Sequence, residues 1–300
     1  MARKKGKGGG KGKRAQQRAQ YDELDKYPVI PPHAFARIVR DKQTLNILYQ
    51  IIEPPLTKKE QEQREEIMDI FIRSLTANIE EIDADPDAYL RTALDKVIKS
   101  YGMKINKKSK SKMFYYLRRD LIGYGKMDML MHDVNVEDIS LDGTNVPIFA
   151  YHRKFESIET TCVWETDHEL ESYVIKLAQR CGKHISVAEP LLDATLMDGS
   201  RIVMKLGREI STRGSAFCIR RFKDDPFSPA DIVAFRTMSS LMAAYLWVCF
   251  QNEVPMLFVG GTASGKTTTL NAMCIFIPWQ MKIVSIESTR EVNIPQPNWV

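Results

Sequence analysis

Residues 256–276 read MLFVGGTASGKTTTLNAMCIF, a short apolar run, then a glycine-rich loop, then a stretch with a helical apolar pattern. The loop, GGTASGKT, matches G-x-x-x-x-G-K-[ST], and strand, loop, helix is the context in which that pattern binds phosphate. Gly260, Gly261 and Gly265 let the backbone turn sharply and approach a phosphate closely. Amides from Ala263 to Thr268 converge on a helix N-terminus, where the helix dipole also favours anions. Lys266 is placed to reach the β- and γ-phosphates, and Thr267 to offer its hydroxyl to Mg²⁺. The expected nucleotide-binding segment is therefore Gly260, Gly261, Thr262, Ala263, Ser264, Gly265, Lys266, Thr267 and Thr268, with ATP and Mg²⁺ as its ligands.

The apolar segment Lys282–Ile286 reads as the next strand and runs into ESTRE. This places Glu287 and Glu291 just past the carboxyl end of a strand, the edge at which parallel sheets bind ligands. Acids there orient a metal ion or a metal-bound water. Spacing alone leaves ordinary surface carboxylates as an equal alternative.

Upstream, the pattern changes character. Residues 27–55 are bounded by the proline signals YPVIPP and IIEPP, with an apolar pattern between them that suits a strand or a short helix. Residues 57–101 read as charged helices, opened by Thr57 and Glu60 as a capping box. KINKKSKSK, residues 104–112, reads as a solvated basic loop. Residues 134–151 suggest two strands joined through Asp142-Gly143. DHELESYVIKLAQRCGKH is an amphipathic helix, with Asp167 to cap its start and Gly182 to end it. Strands are expected at 201–206 and 216–222. KDDPFSPAD then breaks structure and starts a helix at Ser228-Pro229.

The expected organisation is a disordered basic tail at 1–20, an α+β N-terminal domain at 21–222 and a linker at 223–231. Residues 232–300 are expected to form the N-terminal part of an α/β, RecA-like P-loop ATPase domain. Three hundred residues with 44% hydrophobic and 27% charged side chains suit two such domains.

The net charge of +5 belongs to the tail. Eight of the 43 basic residues lie in residues 1–20 with no acid, leaving 35 basic against 38 acidic in the rest. The tail reads as a solubilising segment, with contact to anionic lipid or nucleic acid as the alternative. The body carries no basic stripe interleaved with aromatics, so no specific nucleic acid is expected. Cys162, Cys181, Cys218, Cys249 and Cys274 are scattered and form no CxxC pair, which points to a reducing compartment. The longest apolar run, Leu241 to Phe250, falls short of the roughly 20 residues needed to cross a bilayer.

Several motifs in order carry a family resemblance. YPVIPPHAFARI, RRDLIGYGKMDMLMHD, VEDISLDG, LAQRCGKHISVAEPLLDATLMDGSRI, RGSAFCIRRF, GGTASGKTTTLNA and KIVSIESTREVNIPQPNWV run from about residue 27 to the end. In these the chain resembles the archaeal branch of the type II/type IV secretion ATPases, which includes the archaellum motor and pilus-assembly ATPases. The resemblance implies a homo-hexameric ring of two-domain subunits that uses ATP and Mg²⁺. It also implies a cytoplasmic enzyme docked on a polytopic membrane platform protein, and so peripheral to the membrane. By the same resemblance Lys266 and Thr267 are the Walker A residues. Glu287 and Glu291 belong to an acidic box near Mg²⁺ or water. Arg201 of DGSRI and Arg220 of CIRRF act as arginine fingers.

The sequence departs from the family pattern in three places. Ser288 stands where the acidic box usually has aspartate, and Met197 where proline usually precedes DGSRI. The family's Walker B strand and histidine box are expected beyond NWV, so this chain alone is expected to bind ATP weakly and hydrolyse it negligibly. Two other readings stay open: a conjugative DNA-transfer motor, and a non-hydrolysing nucleotide-binding module.

Overall fold

The computed structural model describes residues 20–74, 85–222, 226–261, 264–287 and 291–300. Residues 1–19 of the expected basic tail lie outside them, as do 223–225 of the expected linker and Thr262, Ala263 and Ser288.

Residues 21–52 form three strands: β1 (Tyr21–Ile30), β2 (Ala34–Asp41) and β3 (Ile47–Ile52). β1 pairs antiparallel with β2, and β2 antiparallel with β3. Along β2 the side chains of Ala34, Ala36 and Ile38 alternate inward and are fully buried, as a period of two requires. Pro28 falls at a register shift of β1, where a missing ladder donor is tolerated.

Three helices follow: α1 (Lys58–Ser74), α2 (Pro86–Ser100) and α3 (Lys107–Leu117). They enclose a core of Ile67, Phe71, Leu90, Leu94, Val97, Met113 and Leu117. The capping box at the start of α1 is present: the Thr57 N–H donates to Glu60 Oε2 at 2.8 Å, and the Glu60 N–H donates to Thr57 Oγ1 at 3.3 Å. The basic stretch expected as a loop is instead helical from Lys107. Asn106 caps it by accepting from the Ser109 N–H at 2.8 Å, and Met113 and Leu117 hold the helix against the core. The lysines hid a helical apolar spacing that only begins at Met113.

The short α4 (Asp128–His132) leads to β4 (Val136–Leu141), β5 (Pro147–His152) and β6 (Glu156–Val163). β4–β5 and β5–β6 are antiparallel, and β6 joins β3 in parallel. The β4–β5 connection is longer than a two-residue turn. Gly143 has φ +123°, and a Cβ there would lie 2.2 Å from the Arg213 carbonyl oxygen, so only glycine fits. α5 (Asp167–Arg180) buries Leu170, Val174, Leu177 and Ala178. Its cap is Thr166, whose Oγ1 accepts from the Glu169 N–H at 3.3 Å. Asp167 is used elsewhere, accepting from Thr144 Oγ1 at 2.6 Å and Arg208 Nε at 2.7 Å. Gly182, at φ +66°, ends the helix as expected.

β7 (Leu191–Thr195), β8 (Arg201–Lys205) and β9 (Ala216–Arg220) come next, then α6 (Pro229–Ala234), α7 (Ser240–Gln251) and α8 (Lys266–Cys274). The chain divides into two compact units, 1–174 with 205–218 and 175–204 with 219–300. In the first the strand order is β1-β2-β3-β6-β5-β4, with the start of β9 beside β4. Asp133 is buried at its centre and accepts hydroxyl hydrogens from Tyr27 at 2.7 Å and Tyr49 at 2.6 Å.

In the second unit β7 and β8 are neighbouring strands. α6 opens with a complete Ser228–Asp231 capping box. Ile232, Ala272 and Met273 pack α6 against α8, and Cys274, Val292 and Ile294 form a second small core. The strands expected at Met256–Val259 and Lys282–Ile286 are extended segments; a single parallel bridge, Ile283 to Trp299, is the pairing seen among the described residues. Leu257 and Val259 are more than four-fifths exposed. A strand is defined by its ladder, and side-chain propensity alone does not supply one. No helix among the described residues is long and apolar enough to cross a membrane.

Candidate functional site

The site lies in the second unit and is built around the start of α8. Gly265 precedes that helix in the left-handed region, φ +82°, and no side chain caps the helix. Its first main-chain N–H groups have no intrahelical acceptor and point where the dipole is positive. Gly260 is constrained by close approach: a Cβ there would lie 2.5 Å from Ser264 Oγ. Ser264 Oγ donates to the Gly261 carbonyl at 2.8 Å, and Lys266 Nζ donates to the same oxygen at 2.5 Å. The Ser264 and Lys266 side chains thus converge on the Gly261 carbonyl.

A cleft of about 480 Å³ opens at this loop, within the range of small-ligand sites. Lys266, Thr267 and Thr268 line it from α8, and Glu291 from the segment after the second extended stretch. Gly199 and Arg201 line it from the β7–β8 hairpin, and Arg220 and Arg221 from the end of β9. The DGSR turn is held tightly. Gly199 has φ +83°, with the Phe222 ring 3.1 Å from where a Cβ would stand, and the buried Ser200 Oγ donates to Asp198 at 2.9 Å.

Arg201 is oriented by Asp193 across the hairpin. Its Nη2 donates to Oδ2 at 2.6 Å and its Nε to Oδ1 at 3.2 Å, a two-point contact that suits the planar guanidinium. These bonds from Arg201 hold the Asp193 carboxyl below its usual range, against the opposing effect of burial.

The two acids read from ESTRE have different surroundings. Glu291 Oε2 accepts from Thr267 Oγ1 at 3.1 Å, so one acid meets the hydroxyl in the first turn of α8. Glu287 Oε2 accepts from the main-chain N–H groups of Glu291 at 2.7 Å and Val292 at 2.9 Å. Glu287 lines a separate hollow with Ser285 and Trp299 and is not among the residues lining the cleft at Lys266. Spacing could not separate the two acids, because their partners are reached through contacts that spacing does not encode.

Sequence reasoning passed over the polar lining residues Arg221, Asn271 and Asn293, and the apolar Phe222, Pro226 and Phe227. Asn271 carried a legible signal, since it follows Thr267 by four residues and so shares its helix face.

With this geometry described, likeness to known proteins becomes informative. Residues 152–300 match the family described as Type II/IV secretion system protein. The chain is 35% identical over 278 residues to the uncharacterized protein MJ0900 of Methanocaldococcus jannaschii, covering 91% of this chain and 49% of that protein. It is 27% identical over 179 residues to the type IV secretion system protein VirB11 of Bartonella henselae, covering 49% of this chain and 50% of the relative. It thus spans about half the length of these two relatives. Among solved structures, the VirB11 ATPase of the Brucella suis type IV secretion system, in complex with sulphate, is 20% identical with a TM-score of 0.33. That match covers 62% of this chain and 59% of the other. The Legionella pneumophila ATPase DotB is 16% identical with a TM-score of 0.35, covering 58% and 49%.

Proposed function

Because residues 152–300 match the type II/IV secretion system protein family, we propose that this chain is an ATP-binding and ATP-hydrolysing motor subunit that powers a type IV pilus-like filament. The filament class covers an archaellum, a pilus and a secretion pseudopilus. One observation carries the reading. Lys266 opens α8 behind a left-handed Gly265, Thr267 is hydrogen-bonded to Glu291, and all four line a cleft shared with Arg201 and Arg220.

The chemistry follows from the residues. The uncapped N–H groups of α8 and the Lys266 ammonium bind phosphate oxygens. The Thr267 hydroxyl and the Glu291 carboxylate are hard oxygen donors, the set Mg²⁺ takes when phosphates and water complete its shell. Bound there, Mg²⁺ would neutralise charge on the phosphate oxygens. Arg201 and Arg220 supply further positive charge to the same cleft, where charge developing on a transferring phosphoryl group needs compensation. Glu287 supports the main chain of Glu291 and is the second acid of the pair.

In the same proposal the working form is a homo-hexamer, cytoplasmic and held at the membrane by a polytopic platform protein. That part rests on the family resemblance. The test of the site is a calorimetric titration with ATP, with and without Mg²⁺, on the full chain and on Lys266→Ala. Binding that Mg²⁺ strengthens and that Lys266→Ala weakens by roughly 10–100-fold is the expected result. Equal binding by both proteins would refute the assignment.

A further inference from the structure

We infer that Asn271 is a positioning residue for Glu291, fixing residues 291–293 on the P-loop helix so that the Glu291 carboxylate meets the Thr267 hydroxyl. This inference rests on the nucleotide reading above and assigns a residue that the phosphate-loop pattern does not contain.

Both ends of the Asn271 amide are used on one stretch of main chain. Nδ2 donates to the Glu291 carbonyl at 3.1 Å, and Oδ1 accepts from the Asn293 N–H at 3.2 Å. The carbonyl of one residue and the N–H of the residue two further on lie along the same edge of an extended chain, the pair a neighbouring strand would engage. The side-chain amide therefore acts here as a one-residue strand partner.

Packing agrees with this. Val292 and Ile294 are buried with Cys274 and set the alternate face inward, while Glu291 and Asn293 line the cleft. The Glu291 N–H is held by Glu287 at 2.7 Å and its carbonyl by Asn271. Its side chain is exposed and has no burial of its own to aim it. The aim comes from the main chain, and the α8 side of that main chain is held by Asn271. Because Asn271 stands one turn after Thr267, the same rigid helix carries both the hydroxyl and the clamp that brings the carboxylate to it.

The test uses the full chain and reads ATP affinity by calorimetry in EDTA and in excess Mg²⁺. Groups that orient a metal ligand typically contribute 10–100-fold to metal affinity, so Asn271→Ala is expected to reduce the Mg²⁺-dependent gain in ATP affinity by about tenfold. Affinity in EDTA should stay within about threefold of wild type. Asn271→Asp keeps the acceptor and loses the donor, so it should retain part of the gain; it also serves if the alanine variant does not fold. In a Glu291→Gln background, Asn271→Ala should change the gain no further, because the two changes act through one carboxylate. An unchanged Mg²⁺ gain in both Asn271 variants, with wild-type binding intact, overturns this inference alone. So does an equal loss in EDTA and in Mg²⁺, which marks a merely structural residue. Absence of ATP binding by the wild-type chain overturns the nucleotide reading, and this inference with it.

Discussion

The Thr267 hydroxyl donates to a carboxylate oxygen of Glu291 at 3.1 Å, joining the P-loop helix to a segment 24 residues later in the chain. Glu291→Gln keeps the shape and removes the charge. It should lower the Mg²⁺-dependent gain in ATP affinity by about tenfold, some 1.4 kcal/mol, and leave metal-free affinity nearly unchanged. Titrations at matched ionic strength check this, and an undiminished Mg²⁺ effect would remove Glu291 from the metal site.

Lys266 reaches across its own loop to the Gly261 carbonyl, so its ammonium is already placed at the mouth of the cradle. A hydrogen bond to a charged group contributes about 1.5–3 kcal/mol, so Lys266→Ala should weaken ATP binding by roughly 10–100-fold. The thermal midpoint of the free protein should hardly move, because the side chain is not part of a core.

Arg201 and Arg220 face the cleft from the hairpin and from the end of β9. In a form of the protein that turns over, changing either to Ala should cut phosphate release by about tenfold or more while ATP affinity changes little. That is below the roughly 10³–10⁵ of a lone arginine finger, because two share the task. Arg201→Lys should not rescue, since an ammonium cannot keep the two-point contact to Asp193. Full turnover in Arg201→Ala would exclude that residue.

Glu60 predicts an acid sensitivity in the first unit. It accepts from the Thr57 N–H, Ser109 and Lys112, which lower its pKa to about 2. A depressed folded pKa means the carboxylate adds stability above its unfolded value, about 4.5, and loses it as pH falls towards 2. Unfolding midpoints measured from pH 5 to pH 2.5 should therefore fall more steeply for wild type than for Glu60→Gln. Parallel curves would show that Glu60 is not the sensitive group.

Asp133 joins Tyr27 on β1 to Tyr49 on β3 from a fully buried position. Asp133→Ala strands the buried Tyr49 hydroxyl and leaves Tyr27 only its contact with His152, so a loss of roughly 1–3 kcal/mol in urea unfolding is expected. Asp133→Asn, which keeps an acceptor, should lose less than half as much. Equal losses in the two variants would mean that the carboxylate charge, not an acceptor oxygen at that place, sets the requirement.

How much of this was legible varied with the range of the interaction. The Thr57–Glu60 cap, the helix start at Ser228-Pro229 and the Gly182 stop were readable because each closes within a few residues. The cap of α5 was misread as Asp167 because two adjacent side chains could both serve. Distant partners, Thr144 and Arg208, drew Asp167 away and left Thr166 to cap. The lysine-rich run at 104–112 was misread because its helix depends on Met113 and Leu117 meeting the α1–α2 core.

For the site, the sequence by itself determined the chemistry at the start of α8. Glycines at 260, 261 and 265, a lysine at 266 and a hydroxyl at 267 follow one another along a short loop, so their arrangement needs only local backbone geometry. Tertiary structure alone decided which acid meets that hydroxyl, and that Arg201 and Arg220 share its cleft. Those residues lie far apart in the chain. Their meeting depends on the burial of Val292 and Ile294, the Asp193–Arg201 pair and the hairpin turn at Gly199, and these form only once the distant segments have packed together.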